Sequence, residues 1–498
     1  MIRPPRASGL AARVIPSRRS RSPLPPRRIF AFTTLLMLLS IVADEHLAYP
    51  DAAEWFSPSV GYPEYRHGHV ASKPNSVYAA VRQCFAQAGF DAARFGTAEW
   101  NPLGHIVQPG QRVFVLCNFV QHQRSNESAE AFAGKCTHGS VVRAVVDYLL
   151  LAGARVQFGN APVQSCNWAA VLEQTGAARV QEFYAERNLP AAAIDLRMVV
   201  SERDALGNVT NYVERNAAKD TIEIDLGATS LLDEPSRHGA RYRVQDYNPE
   251  RTEAFHGPGR HVYVLHRAVL EADVVFSLPK LKTHEKVGVT CAVKGCVGAV
   301  GHKDCLAHHR FGPPGKGGDE YPRDPLGFFR AASWLHDRVY RSQSKAGLPR
   351  IADNFLRRVL RRINPSVAGA WWGNDTAWRM AVDLARIVEH ADANGVLHEM
   401  PVRRNYSLVD GVIGGQGRGP LRPDPVASRT LFFADDAWLA DFAATTLMGF
   451  DPRSVPHLRH AWRDVSARAI ANGVEGGLEV LAPHVIRYEP PPGWKGHL

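Results

Sequence analysis

Two runs read as buried strands constrain the fold of this chain most: Ala154–Phe158 (ARVQF) and Ala272–Leu278 (ADVVFSL). The first follows Ser140–Leu151, whose apolar residues recur at the helical period. Helix followed by buried strand is half of a β-α-β unit, which requires a parallel sheet with helices packed on it. Arg112–Leu116 supplies the preceding short strand and Ser76–Ala88 a further helix. The expected class is therefore α/β: a mostly parallel sheet with helices on both faces, and two lobes around a cleft. In such sheets ligands bind where strands end, which places Asn118, Gly159 and Asn160 on the ligand shelf.

Polar chemistry concentrates just beyond the second run. Residues 277–310 read SLPKLKTHEKVGVTCAVKGCVGAVGHKDCLAHHR, gathering Lys280, Lys282, His284, Lys294 and a histidine-rich loop among glycines. Lysines beside glycines suit a carboxylate, phosphate or enolate, because backbone and ammonium both approach the anion closely. Histidine adds a group that titrates near neutrality. His284, Lys294 and His308 are the candidate catalytic residues, with Asn118, Asn160, Lys280, Lys282 and Asp410 as substrate-binding residues. His302, Asp304, Cys305 and His309 have metal-ligand chemistry within eight residues, so a divalent metal is the candidate cofactor, although the spacing matches no structural-zinc pattern. The plain alternative makes these histidines helix caps or partners of Asp319 and Glu320. The expected partner is a small anionic molecule.

The 498 residues allow several regions. These are a basic segment 1–36, a main α/β domain 37–325 with a polar insertion at about 200–260 that includes a strand at Thr221–Leu226, a helix-rich region 326–400 with Trp371, Trp372 and Trp378 as packing aromatics, and a C-terminal α/β region 401–498. GVIGGQGRGP from Gly411 reads as a tight glycine-rich loop that could cradle an anion, or leave Asp410 to bind a cation. GPPGKGGDE from Gly312 lacks phosphate-loop spacing.

The formal charge of +10 does not point to nucleic acid, because eight arginines lie within residues 1–36 and the body is almost balanced. That first segment, rich in Pro and Ser, is expected to be a disordered extension or a targeting segment. Ile29–Ala43 is shorter than a membrane span. A signal peptide ending at Ala43 or Ala48 is the competing reading to a domain that starts at Met37. Seven cysteines without a C-x-x-C pair argue for a reducing, cytoplasmic setting over export, and against a ferredoxin-type iron-sulfur segment.

The PKLKTH and Gly-Lys segments resemble the family called domain of unknown function 362. Three further blocks agree: THGSVVRAVVDYLLLAGARVQFGNAP from Thr137, LVDGVIGGQGRGP from Leu408 and LMGFDPRSVPHL from Leu447. The resemblance implies an α/β enzyme with no settled reaction. The order of these blocks is also similar to nickel-pincer lactate racemases, which implies a cofactor-holding role for Lys294 and proton transfer by His284 or His308. The chain departs from the family pattern at Leu116–Asn118, Asn160 and Gly295, where polar side chains are exchanged. A non-catalytic ligand-binding or scaffold protein derived from an enzyme is the alternative.

Overall fold

The computed structural model describes residues 38–203, 209–215, 219–244, 247–324, 326–341, 348–461 and 478–498. The expected extension 1–36 lies outside them. Among the described residues, ten strands form one sheet. In chain order they are β1 Leu39–Ala43, β2 Arg112–Cys117, β3 Arg155–Asn160, β4 Ala191–Asp195, β5 Val274–Leu278, β6 Lys280–His284, β7 Gly288–Thr290, β8 Asn405–Arg418, β9 Arg422–Val426 and β10 Thr430–Ala434.

The spatial order β1-β10-β8-β5-β2-β3-β4 is parallel from β8 to β4 and antiparallel at β10 and β1. The two runs that defined the sequence pattern, β3 and β5, flank β2 as its parallel neighbours. Every residue of β5 is buried, as a strand covered on both faces requires. Alternation sends Val275 to one core, with Leu384 and Phe442, and Phe276 to the other, with Phe85 and Val141. Helices Ser76–Gln87 and Gly139–Leu151 fill the second core; Ala377–His390 and Ala437–Leu447 fill the first. Each buried Phe, Leu or Val contributes roughly 1.5–3 kcal/mol.

Local signals set the helix starts. The Asn75 side chain accepts the Tyr78 N–H at 3.0 Å, and Asp436 accepts those of Trp438 and Leu439 at 2.7 and 3.3 Å. At the end of β3, Gly159 has φ of 149° and lies so close to the Ile194 carbonyl that no Cβ fits. That close approach lets β4 pair right up to Asn160.

The chain does not turn away after β5. It passes Pro279 and continues as β6, so that β8, 14 residues long, pairs with β5 at Asn405–Ser407 and with β6 at Asp410 and Gly415. The glycine-rich stretch after Gly411 is therefore strand, not the expected tight loop. Its glycines let β8 lie against Leu281 and the Gly134 carbonyl without side chains between. The insertion supplies the antiparallel pair Val199–Arg203 and Val209–Glu214, and a strand at Thr221–Asp225. Of the three tryptophans, Trp371 and Trp378 are buried, whereas Trp372 is 48% exposed and stacks on His497. Contacts gather Met37–Leu498 into one unit.

Candidate active site

A cleft of about 840 Å³ opens where the parallel strands end. Asn118 follows β2, Asn160 ends β3 and His284 ends β6, and all three line it. Lys294 enters from the short helix Ala292–Gly295, which begins two residues after β7. His308 reaches it from the chain before His309–Arg310, a strand whose partner is Tyr242–Arg243. The proposed trio His284, Lys294 and His308 thus shares one cavity with both asparagines.

Sequence reasoning passed over Lys286 and Lys303, which line the same cleft. Lys303 lies inside the run read as metal ligands, and its signal was masked by the histidines around it. Its Nζ donates to the carbonyls of Ala161 at 2.7 Å and Val297 at 3.4 Å. Lys286 donates to the Ala368 carbonyl. Lys294 is 7% exposed and makes no hydrogen bond or ion pair among the described residues. Glu285 is the one carboxylate among the lining residues, and burial raises its pKa.

Crowded cations in a dry wall lose charge. Burial, reinforced by Lys286, lowers Lys294 to about 8. Burial also lowers Lys286 to about 8, with Arg361 adding to the effect, and Lys303 to about 7. Burial and then the Lys294 charge hold His284 and His308 well below the ordinary imidazole value, so both are neutral at pH 7. The Lys286 N–H donates to His284 Nδ1 at 3.1 Å, which leaves the neutral ring its proton on Nε2. Asn160 Nδ2 donates to the Phe119 carbonyl at 3.2 Å, while its Oδ1 and the hydroxyl of Thr290 are buried without partners among the described residues. The cleft therefore offers ammonium and amide donors and neutral imidazoles, with unmet hydrogen-bonding capacity beside them.

Lys282 stands behind this wall. Fully buried, it donates to Asn118 Oδ1 and, at 2.6 Å, to the Lys135 carbonyl, so it fixes the asparagine amide and leaves Nδ2 for the cleft. Lys280 and Asp410 were expected in the substrate site, but neither lines the cleft. The register of β6 on β8 sets them side by side, and Lys280 Nζ lies 3.0 Å from Asp410 Oδ2 with both side chains wholly buried. The carboxylate also accepts the Tyr49 hydroxyl at 2.5 Å and the N–H groups of His138 at 3.0 Å and Val412 at 3.4 Å. The pair is consumed in holding the Thr137–Ser140 segment to the sheet.

The expected metal cluster does not assemble. Among the described residues, no group of three or more His, Cys, Asp or Glu side chains converges as ligands. The Cys305 thiol faces the Val264 N–H at 3.4 Å and the His302 carbonyl at 3.0 Å. Asp304 meets Arg251 at 3.5 Å, with His302 3.9 Å away. Strand alternation turns His309 away from His308, into a separate small cavity 4.0 Å from Glu320.

The fold is α/β, with a lysine-lined cleft at the carboxyl ends of its parallel strands. Residues 213–446 match the family described as domain of unknown function (DUF362). A thylakoid-associated protein of Synechocystis sp. is 22% identical over 192 residues, which are 39% of this chain and 37% of that protein. A solved structure of a protein from Thermotoga maritima aligns over 72% of this chain and 56% of that one, at 10% identity and a TM-score of 0.31.

Proposed function

We propose that the chain is an enzyme that binds a small polyanionic substrate in this cleft and transfers protons there. The observation that carries the reading is Lys294: buried, without a partner among the described residues, and facing a cavity shared with Lys286 and Lys303. A buried cation without a counter-charge is costly, and an anionic ligand is the partner that relieves the cost. In the bound state the lysines hold the anion and stabilise charge that develops on it. Neutral His308 and His284 take or donate the proton, and the Nε2–H of His284 is the first donor. A non-catalytic ligand-binding role is favoured by one observation, the shortage of carboxylates in the lining, where Glu285 stands alone. The seven cysteines are all free and buried, which supports a cytoplasmic setting.

Calorimetric titration of the full chain with inorganic phosphate and with citrate tests the binding step. Lys294→Met is expected to weaken the tighter of the two about ten- to a hundred-fold, the effect of losing one charged contact. Equal affinity in the parent and the variant would sink the site. A metabolite screen separates the readings: anions that bind without being turned over favour binding alone, whereas for a turned-over anion, loss of turnover with retained binding in His284→Ala or His308→Ala assigns that histidine to catalysis, and unchanged turnover removes it from the chemistry.

A further inference from the structure

Helices Phe328–Arg341 and Leu348–Ile363 bury Tyr340 and Leu360 together with Asp337 and Asp353, and leave other large apolar side chains uncovered. Polar groups meet on their inner side: His336 Nδ1 lies 3.0 Å from Asp353 Oδ2, and Asp337 accepts the Arg243 guanidinium at 2.9 and 3.1 Å. Large apolar side chains point outward. Phe328 is 53% exposed, Trp334 55%, Leu335 45%, Ile351 46%, Phe355 67% and Ile363 66%. Single exposed apolar residues are ordinary, but so many on one helical pair mark an interaction surface.

The charge beside these side chains selects the partner. Arg330, Arg338, Arg341, Arg361 and Arg362 are exposed on the same two helices, and the described acids there, Asp337 and Asp353, are buried and paired. The Arg338 guanidinium stacks over the Trp334 ring at 5.2 Å. Apolar and aromatic side chains interleaved with arginine fit the boundary between acyl chains and anionic headgroups. A second copy of the same basic face would be repelled, and the basic segment 1–36, with eight arginines and no acid, brings no complementary charge.

We infer that this helical pair docks the protein on the surface of an anionic phospholipid bilayer, lying in its interface. No helix among the described residues is long and apolar enough to cross a membrane, so attachment is to one face. Tyr340 and Arg361, from the same pair, line the cleft. Docking therefore brings the wall of the cleft to the lipid surface.

Flotation of the full chain with vesicles tests the inference, using phosphatidylcholine alone or with ~30% phosphatidylglycerol. Binding is expected only to the anionic vesicles, weaker as salt rises, and about ten-fold weaker for Trp334→Ser/Phe355→Ser. Both positions are exposed, so the double variant keeps the parent's melting temperature and its phosphate affinity. Absence of binding to anionic vesicles would overturn the inference. So would equal binding by the variant, which would assign attachment to another basic segment. Self-association of the parent in ultracentrifugation, relieved in the variant, would show instead that a second copy covers this face.

Discussion

Asp441 ties Lys294 to the far side of the core through His457. One oxygen of its carboxylate accepts the N–H groups of Ala292 and Val293 at 2.6 and 3.2 Å, and the other lies 2.9 Å from His457 Nε2. The four-residue helix that carries Lys294 is too short to hold itself, so this cap sets where the ammonium points. Asp441→Ala leaves two N–H groups and an imidazole unpaired and is expected to cost about 1–3 kcal/mol of stability. Phosphate affinity falls as well, although Asp441 does not line the cleft, and Asp441→Asn restores part of it. Thermal melting beside calorimetry measures both; affinity unchanged in the Ala variant would deny the positioning role.

Lys294→Met acts on stability in the opposite direction to its effect on binding. Methionine keeps the volume and removes a desolvated charge, so the variant is expected to gain on the order of 1–3 kcal/mol of stability in ligand-free buffer, read as a higher melting temperature. A lower melting temperature would mean that the ammonium has a partner in the folded chain.

Anion binding is expected to take up protons above neutrality. The ligand-free lysines 286 and 294 titrate at about 8, and a bound anion raises that value. At a pH above 8 the free ammonium groups are mostly deprotonated, so each must gain a proton to hold the ligand, and affinity drops as pH rises from 7 to 9. Sulfate is the probe, since it does not itself titrate there. Calorimetry in two buffers of different ionisation enthalpy reads the proton count; a count of zero at the alkaline end rejects these lysines as the anion's partners.

Lys280 and Asp410 form a test of buried charge. Lys280→Met or Asp410→Asn alone strands the other group and is expected to cost about 3–5 kcal/mol, and the double variant recovers much of that loss. Denaturant unfolding of the four proteins completes the cycle. Additive losses would show that the two groups do not depend on each other.

Lys282 gives a pH signature of its own. Burial lowers it to about 7 when folded, against about 10.5 for an unfolded chain. Between these values the unfolded chain binds the extra proton, so this group's contribution to stability grows as pH rises and is lost as pH falls toward 7. The melting temperature of the parent, relative to that of Lys282→Met, is expected to climb from pH 7 to 10. A flat difference would place the ammonium in water.

The parallel core was readable because periodicity survives in one dimension: Gly139–Leu151 feeds β3, and β5 is apolar throughout. His284, Lys294 and His308 could be nominated because strand ends and glycines cluster there. What the sequence hides is direction. Lys280 and Lys282 share one face of β6, yet the register on β8 gives the first a carboxylate, whereas the second meets Asn118 at the end of β2. His308 and His309 are neighbours in the chain and open into different cavities. The metal cluster failed for the same reason, since residues adjacent along a strand or tight turn diverge in space.

The outer edge of the sheet sets an order of assembly. β1 pairs with β10, Leu39 opposite Ala434 and Ala43 opposite Thr430. During synthesis the first of the ten strands must therefore wait, unpaired, until the last has left the ribosome. An arrangement so rich in distant partners folds slowly, and it exposes an apolar edge to chaperones for as long as translation lasts. A chain halted before Asn405 would have β5 and β6 with nothing to lie against on that side, and its cleft would lack the stretch Pro420, Leu421 and Arg422.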